Sequence, residues 1–394
     1  SEGDEAGDGD EVTVASGRRW TVPIAVLAIA ALIGLGAVVS GRAPGEPETA
    51  STPTTAAESV APPPTTARPS TSVGAVVERF TAPSGMPAGL TLVGLTRGQR
   101  VTARLALGEV AARPIAESVF DQVDQGYLDD LTGFAVGQNA LFRLMPAMVV
   151  PVDIDQPVVL VNACGALGAV RDWVWLLDCM QDESVKLRRA PIDSPMTGVE
   201  VSLPAWANPE GVDGRGSLLL STPAGHYVLA ETAPRPAVLT RNALVVAGRD
   251  VVVEYACDDE LRCHYQLIDR LTGTTGRIDL GEAERTAPVP FGVLSPDDRW
   301  LILPEVASLE YGRALLVDLV EGSTSDVELN SNTYNDHDHR TVHPVWSPDS
   351  RWLFWIDPGD GLFAMDVETR VAHRVGKGTM LDYLSGLVLV PPAP

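Results

Sequence analysis

Lysine is almost absent from this chain of 394 residues, which carries only Lys186 and Lys377. In total, 29 basic residues stand against 52 acidic ones, and the formal net charge is -23. No run of more than two basic residues occurs. Because a nucleic-acid partner needs a basic face to meet its phosphate backbone, this composition argues against nucleic-acid binding.

Catalytic motifs and long helical patterns are also missing. The chain has no G-x-S-x-G elbow, H-E-x-x-H helix, Walker loop or G-x-G-x-x-G turn. Its four cysteines form no C-x-x-C pair, so a thioredoxin-like site and a zinc ribbon are unsupported. Over residues 77–394, short β-branched runs alternate with Gly, Pro, Asp and Thr, and no long 3.6-residue period appears. The sequence therefore predicts an all-β domain without a recognised catalytic motif.

A charge-free apolar run extends from Thr21 to Val39, between Arg19 and Arg42. As a helix with a rise of 1.5 Å per residue it would span about 30 Å, the thickness of a bilayer core. We predict one transmembrane helix over 20–41. The alternative is a cleaved signal peptide, whose apolar region is usually only about 7 to 15 residues long.

Flanking charges predict the orientation of this helix. Arg18 and Arg19 precede the run, whereas only Arg42 follows it closely, and the positive-inside rule then places the N-terminus in the cytoplasm. Residues 1–19 read as a short disordered cytoplasmic tail. The chain is thus expected to be a single-pass protein of the cell membrane.

Residues 42–76 predict a flexible linker. Of the 30 residues from Ala43 to Ser72, 24 are Pro, Thr, Ser or Ala, a composition that cannot bury a core. In an extended polyproline conformation this stretch would reach about 90 Å. Domain 77–394 is therefore expected outside the cytoplasm, tethered to the membrane.

Two passages of this domain nearly repeat each other. Phe291–Leu303 reads F-G-V-L-S-P-D-D-R-W-L-I-L, and His343–Trp355 reads H-P-V-W-S-P-D-S-R-W-L-F-W. In each, an apolar strand meets a Ser-Pro-Asp turn, and a second apolar strand starts at Trp300 or Trp352. The repeat predicts equivalent hairpins whose tryptophans lie in equivalent core positions.

A further strand after each hairpin ends in aspartate. Asp269, Asp318 and Asp366 are spaced 49 and 48 residues apart. Four strands in every 40 to 50 residues is typical of a propeller blade, and we interpret the aspartate-ending strand as the third of each blade. Weaker equivalents lie at Val101, Ala140, Val185 and Glu231. These seven predict a β-propeller of seven four-stranded blades, with six or eight as alternatives.

Closing a propeller usually requires one blade that mixes strands from both ends of the chain. The segment Leu384–Pro392 is left over after the last predicted blade. We expect it to pair with Thr91–Thr96 and to protect both strands from edge pairing.

The S-P-D-x-R-W-L hairpins resemble the WD40-like repeats of TolB-type propellers, which also form the non-catalytic domain of prolyl oligopeptidase-type enzymes. Both turns depart from that pattern, because Asp298 and Ser350 stand where glycine is usual. The layout as a whole is similar to uncharacterised membrane-anchored bacterial propellers. The resemblance implies a fold and a location, and no activity.

Four cysteines lie in the domain that we expect outside the cytoplasm, and four cysteines allow three pairings. Cys257 and Cys263 bracket a predicted hairpin tip, while Cys164 and Cys179 flank what we interpret as a connection into the next blade. Proximity favours these two disulfides. The alternative is four buried free thiols, as expected in a reducing compartment.

The segment Asn330–His343 is the candidate binding region. It contains five side chains able to ligate a metal: Asp336, His337, Asp338, His339 and His343. Because it directly precedes a predicted innermost strand, it should lie at one mouth of the central channel. A divalent metal such as Zn²⁺ is one candidate ligand there, and a solvated polar loop is the alternative.

Two functions of different class remain. The first is a non-enzymatic module that binds, scaffolds or senses a protein, peptide or cell-wall ligand. The second is a metal-dependent or glycan-active propeller enzyme that uses His337, His339 and His343. No cofactor is predicted other than this candidate divalent metal.

Overall fold

The computed structural model describes residues 75–392, apart from 97, 124–132, 145, 162, 164, 171–172, 180–184, 192–196, 204–206, 231–234, 259, 261, 281–291, 305–312, 329–343 and 358–359. The predicted tail, the predicted transmembrane helix and nearly all of the predicted linker lie outside these residues. Within the described residues, no helix is long and apolar enough to cross a membrane.

Short strands and tight turns make up nearly all of the described chain. The first three blades contain β1 (Val76–Arg79), β2 (Thr91–Thr96), β3 (Gln99–Arg104), β4 (Glu109–Pro114), β5 (Gly133–Val136), β6 (Asn139–Phe142), β7 (Ala147–Pro151), β8 (Val159–Val161), β9 (Gly165–Val170), β10 (Trp173–Cys179), β11 (Val185–Pro191) and β12 (Val199–Val201). The next four contain β13 (Asn208–Val212), β14 (Leu218–Thr222), β15 (Gly225–Leu229), β16 (Ala237–Thr240), β17 (Ala243–Ala247), β18 (Val251–Cys257), β19 (Cys263–Asp269), β20 (Thr275–Ile278), β21 (Val293–Leu294), β22 (Trp300–Pro304), β23 (Arg313–Asp318), β24 (Ser323–Glu328), β25 (Val345–Trp346), β26 (Trp352–Asp357), β27 (Gly361–Asp366) and β28 (Val371–Arg374). The last strand is β29 (Gly386–Val390), and short helical segments lie at α1 (Glu117–Phe120), Leu105–Leu107 and Met380–Tyr383.

These strands form seven antiparallel sheets, which are the blades of a propeller. Blades 2 to 7 each take four consecutive strands, from β5–β8 to β25–β28. The first strands of neighbouring blades contact one another, as β5 does with β9 and β17 with β21, so these strands surround the central axis. The prediction of an all-β propeller with seven blades is confirmed.

Blade 1 joins the two ends of the domain. β29 pairs with β2 in antiparallel register from Thr91 opposite Val390 to Leu95 opposite Gly386. The sheet continues through β3 and β4, and β1 adds a fifth strand at the outer edge. The expected pairing of Leu384–Pro392 with Thr91–Thr96 is therefore confirmed.

The aspartate-ending strands are the third strands of their blades, as predicted. Asp269, Asp318 and Asp366 end β19, β23 and β27. The weaker matches at Val101, Val185 and the segment before Glu231 also fall on third strands, which are β3, β11 and β15. The match at Ala140 was wrong, because β6 is the second strand of blade 2 and β7 is the third. Both are short, apolar and mostly buried, so composition alone does not distinguish them.

Strand direction gives the propeller two different faces. Successive strands are antiparallel, so connections from first to second and from third to fourth strands lie on one face, here called the turn face. Connections from second to third strands and from each blade to the next lie on the other, here called the loop face. Both Ser-Pro-Asp turns belong to the turn face.

Asp298 and Ser350, which stand where glycine is usual in this repeat, link neighbouring blades on the turn face. Asp298 and Ser350 both adopt the left-handed conformation, with φ of 60°. Each uses its side chain to reach the preceding blade: Asp298 Oδ2 accepts a hydrogen bond from the backbone N–H of Val251 at 3.3 Å, and Ser350 Oγ accepts one from Asp297 at 3.0 Å. A glycine would relieve the backbone but lose the link between blades.

The turn face also carries a repeated ion pair. Arg299 lies 2.7 Å from Asp318 in blade 6, and Arg351 lies 2.7 Å from Asp366 in blade 7. Burial raises the pKa of both carboxyl groups, but hydrogen bonds from the arginine and from backbone N–H groups of the following turn outweigh it, and both pKa values lie below the ordinary value. Each aspartate therefore closes its turn and fixes the neighbouring hairpin.

The paired tryptophans occupy equivalent core positions, as predicted. Trp300 is 6% exposed and packs with Trp346 between blades 6 and 7. Trp352 is 1% exposed and packs with Leu92 between blades 7 and 1. Each indole therefore packs in the apolar contact between its own blade and the next one.

The cysteine predictions have two outcomes. A disulfide joins Cys257 to Cys263 across the tip between β18 and β19, as expected. Cys164 and the side chain of Cys179 lie outside the described part of the chain, so their pairing stays a prediction. The segment between them is not a connection between blades, as we had interpreted it, because β9 and β10 form a hairpin within blade 3.

Replacing Trp352 with alanine should lower the free energy of unfolding by about 3 to 5 kcal/mol, because it opens a cavity between blades 7 and 1. Chemical denaturation measures this loss. The matched control is Trp173→Ala, since Trp173 is 36% exposed and stacks with Arg189 at 4.2 Å. That control should cost about 1 kcal/mol. Equal losses in the two variants would contradict the assigned packing.

Candidate functional site

The five predicted binding residues, Asp336, His337, Asp338, His339 and His343, lie outside the described residues. The strands before and after them are described. These residues belong to the connection from β24, the outer strand of blade 6, to β25, the innermost strand of blade 7. That connection begins and ends on the loop face, so the histidine site stays a prediction for this face. Among the residues whose positions are described, no group of three or more His, Cys, Asp or Glu side chains is placed to hold a metal ion.

The longest connections in the domain all join strands on the loop face. They are 115–132, 279–292 and 329–344, whereas connections on the turn face are short. Many turn-face hydrogen bonds close their own turns, as at Asp318 and Asp366. Binding residues commonly lie on loops that a rigid scaffold positions, so the loop face is the face to search.

The contact surfaces between neighbouring blades, here called seams, differ in chemistry. Hydrophobic clusters of described residues lie in the seams between blades 1 and 2, 2 and 3, 3 and 4, 5 and 6, 6 and 7, and 7 and 1. In the described chain, none of these clusters spans blades 4 and 5. This seam, here called seam 4/5, contains polar and charged side chains instead.

A row of polar residues crosses blade 4 at its loop-face end. The strand register places Asn208, Ser221, His226 and Thr240 side by side on the four successive strands. Thr240 is the last residue of β16, directly before the connection into blade 5. The row therefore leads outward from the channel side along the edge of seam 4/5.

A β-bulge brings a glutamate into this row. Glu210 is the extra residue of β13, between Pro209 and Gly211 in the pairing with β14. The first strands of blades 3 and 5 have a bulge at the same position, where Leu167 and Val245 are buried against the next blade. Since a bulge redirects one side chain, the same geometry points Glu210 toward blade 5.

Glu210 bonds to two members of the row. His226 Nδ1 lies 3.1 Å from Glu210 Oε2, and the Ser221 side chain also hydrogen-bonds to this carboxylate. Burial raises the pKa of Glu210, but the bonds from His226 and Ser221 and the charge of protonated His226 outweigh it, so the pKa lies below its ordinary value. The side chains of Glu210 and His226 are 41% and 20% exposed, so a ligand can reach both.

Across the seam, blade 5 contributes a second carboxylate. Glu254 of β18 is only 3% exposed. Its carboxylate accepts hydrogen bonds from the Thr240 hydroxyl and, at 2.7 Å, from Asn242 Nδ2. Within the described structure no cationic side chain pairs with it, so neutral donors alone compensate its burial.

The turn-face end of the same seam is closed by a buried ion pair. Arg270 Nη2 lies 2.8 Å from Asp213 Oδ2, and these side chains are 9% and 0% exposed. Arg270 also donates to the Gly248 carbonyl at 2.7 Å, while Asp213 accepts from the backbone N–H of Ser217 at 2.7 Å. Seam 4/5 is thus fixed at the turn face and polar and accessible at the loop face.

Sequence reasoning missed this site. Glu210 stands inside a first strand, where the other blades carry apolar or small residues, and that single charge was the available signal. Its partners Ser221 and His226 follow from strand register, and Glu254 follows from the arrangement of two blades. A sequence pattern reveals neither the strand register within a blade nor the contact between two blades. The arrangement can donate and accept hydrogen bonds and can pair with a cationic group.

No family model matches the chain, and no curated protein matches it. Solved structures similar to it include AztD from Citrobacter koseri, with 12% identity, a TM-score of 0.42, and coverage of 76% of this chain and 97% of that one. An oligogalacturonate lyase in complex with manganese has 9% identity, a TM-score of 0.44, and coverage of 72% and 93%. A putative TolB from Agrobacterium tumefaciens has 13% identity, a TM-score of 0.32, and coverage of 62% and 79%. At these identities and TM-scores the likeness supports no conclusion about this chain beyond the propeller fold, which its own seven sheets show.

Replacing His226 with alanine should raise the pKa of Glu210, because burial then acts against fewer compensating bonds. Carboxyl carbon NMR on the labelled protein measures this pKa directly. Ser221→Ala should produce a smaller rise, since its bond is the weaker of the two. An unchanged Glu210 pKa in His226→Ala would show that the two side chains are not in contact in solution.

Proposed function

We propose that this chain is a membrane-tethered, extracytoplasmic propeller that binds a protein, peptide or cell-wall ligand on its loop face. The observation that carries the proposal is seam 4/5, where the described residues form a polar, accessible row and none of the hydrophobic clusters spans the two blades. The residues Asp336, His337, Asp338, His339 and His343 are proposed to extend the same binding face.

Charge narrows the class of ligand. Residues 77–394 contain 43 acidic and 25 basic residues, a net charge of -18, and Glu210 presents a partly exposed carboxylate beside its histidine partner. Such a field attracts cations and repels anions. We therefore propose a cationic or neutral polar ligand, such as an amine-bearing peptide, and an anionic wall polymer only where a divalent ion bridges it.

The proposed anchor and linker would hold the propeller outside the cytoplasm, near the membrane. The apolar run Thr21–Val39 supports a single-pass anchor over 20–41, and the arginines that precede it support a cytoplasmic N-terminus. The Pro, Thr, Ser and Ala composition of 42–76 supports a flexible linker. A domain on a long flexible linker searches a volume rather than acting at a fixed point. This suits capture of a partner better than chemistry on a precisely placed substrate.

Affinity capture from cell-envelope extract with immobilised full-length chain tests the binding site. Glu210→Gln combined with His226→Gln should reduce the recovered partner at least tenfold, because the variant removes the charge and the imidazole but keeps the size of the side chains. The control is Asp326→Asn, which removes one exposed carboxylate in blade 6, away from seam 4/5. Capture that is equal in all three proteins would overturn the seam as the binding site.

A second variant in the same capture experiment tests the predicted histidine residues. Alanine at His337, His339 and His343 together should weaken capture and leave thermal stability nearly unchanged. The enzyme alternative predicts a different outcome: bound metal in the purified wild-type chain, and loss of both the metal and substrate turnover in the triple variant. Unaltered capture would remove this segment from the binding face.

A further inference from the structure

A cavity of about 680 Å³ lies in the seam between blades 1 and 2, on the opposite side of blade 1 from blade 7. One wall is formed by β3 and β4, where Thr102, Arg104 and Glu109 line it. The other is formed by blade 2, through Gln138, Asn139 and the turn 152–156 that joins β7 to β8. Hydroxyl and amide side chains line part of the cavity, together with apolar residues and the acidic residues Glu109, Asp153 and Asp155.

Two arginines meet beside this cavity. Arg100 of β3 and Arg113 of β4 are directly opposite in the strand register, so their side chains project from the same face of the sheet. Both donate to one acceptor, the carbonyl oxygen of Ile154, and the bond from Arg113 Nη1 is 3.1 Å long. Ile154 itself lines the cavity.

The arginine pair is incompletely compensated. Arg100 is 3% exposed, and burial together with the nearby charge of Arg113 lowers its pKa, with Asp153 and Asp155 opposing the effect. Within the described structure, Arg100 Nη1 has no hydrogen-bond partner, and neither has the buried Thr102 Oγ1 two residues along the same strand face. A buried guanidinium normally uses its donors, so these two atoms retain hydrogen-bonding capacity for an added acceptor.

Among the residues that the structure describes, the one carboxylate in contact with the pair is that of Asp155, and it is weakly held. Asp155 Oδ1 lies 2.9 Å from Arg113 Nη1, but the Asp155 side chain is 84% exposed. The turn that supplies the Ile154 carbonyl and the Asp155 carboxylate therefore presents two oxygens to two guanidinium groups, as an oxyanion would. An exposed ion pair of this kind contributes little and can be displaced.

We propose that this cavity binds a small hydroxylated ligand through an anionic group, a carboxylate or a phosphate, placed between Arg100, Arg113 and Thr102. One ligand oxygen accepts from Arg100 Nη1, and another accepts from Thr102 Oγ1. Asp155 leaves Arg113 when the ligand enters. The hydroxyl groups of the ligand face the amides of Gln138, Asn139 and Gln156.

This site is separate from seam 4/5 and has the opposite charge preference. Paired arginines suit carboxylate and phosphate because the planar guanidinium donates two parallel hydrogen bonds to such groups. The high negative charge of the whole chain does not prevent this, because charges more than about 10 Å away are screened by salt, whereas the two guanidinium groups contact the anionic group directly. The two sites can therefore hold ligands of different charge.

Isothermal titration of the full chain with three matched sugars tests the proposal. Glucuronate supplies a carboxylate, glucose 6-phosphate supplies a phosphate, and glucose is the neutral control. We expect saturable binding of at least one anionic sugar and none of glucose, and the stronger of the two anions identifies the anionic group. Absence of binding by both anions, or equal binding of glucose, would overturn the proposal.

Variants locate the site without relying on the buried Arg100. Arg113→Gln should weaken binding of the anionic sugar at least tenfold, because it removes one guanidinium from a partly exposed position. Asp155→Asn should strengthen binding severalfold, because it removes the competing carboxylate. The control Arg262→Gln, at an exposed hairpin tip whose side chain is 74% exposed, should leave affinity unchanged. Anion binding that is insensitive to both Arg113→Gln and Asp155→Asn would place the anion elsewhere and overturn this site.

Discussion

The pairing of β29 with β2 is the interaction on which the rest of the propeller depends. It joins strands that are almost 300 residues apart, so its formation closes the ring. Alternate residues of β29 serve two seams: Leu387 and Leu389 pack between blades 7 and 1, while Val388 and Val390 pack between blades 1 and 2. Without this strand both seams would lose apolar packing, and β2 would be an unprotected edge.

Because the ring is closed, every blade packs against two neighbours, and the side chains in the seven seams can be compared. In six seams, apolar residues of the second and third strands pack between blades and contribute most of the stability. The seam between blades 1 and 2 also contains the arginine pair and its cavity beside this packing. Seam 4/5 instead buries Glu254 and Asp213, and keeps Glu210 accessible. Apolar residues of similar volume often stabilise a protein as well as buried charges do, so retained polar groups suggest a role other than stability.

The parts of this fold that repeat locally could be predicted from the sequence. The Ser-Pro-Asp turns, the tryptophans after them and the strand-ending Asp269, Asp318 and Asp366 recur from blade to blade, and they led to the correct blade count. The error at Ala140 arose where blade 2 lacks the terminal aspartate. Seam 4/5 could not be predicted, because a bulge orients Glu210 and because Thr240 and Glu254 belong to different blades. The segment Asn330–His343 was selected as a candidate binding region from its composition alone, and its role stays a prediction.

Hydrogen–deuterium exchange of the full chain, with and without the partner recovered by capture, tests the central claim most directly. That claim is that ligand binds on the loop face, along seam 4/5. The account predicts new protection of the loop-face ends of β13 to β16 and of the connection at Asn242, with the Ser-Pro-Asp turns unchanged. Protection confined to the turn face around Asp298 and Ser350 would contradict it.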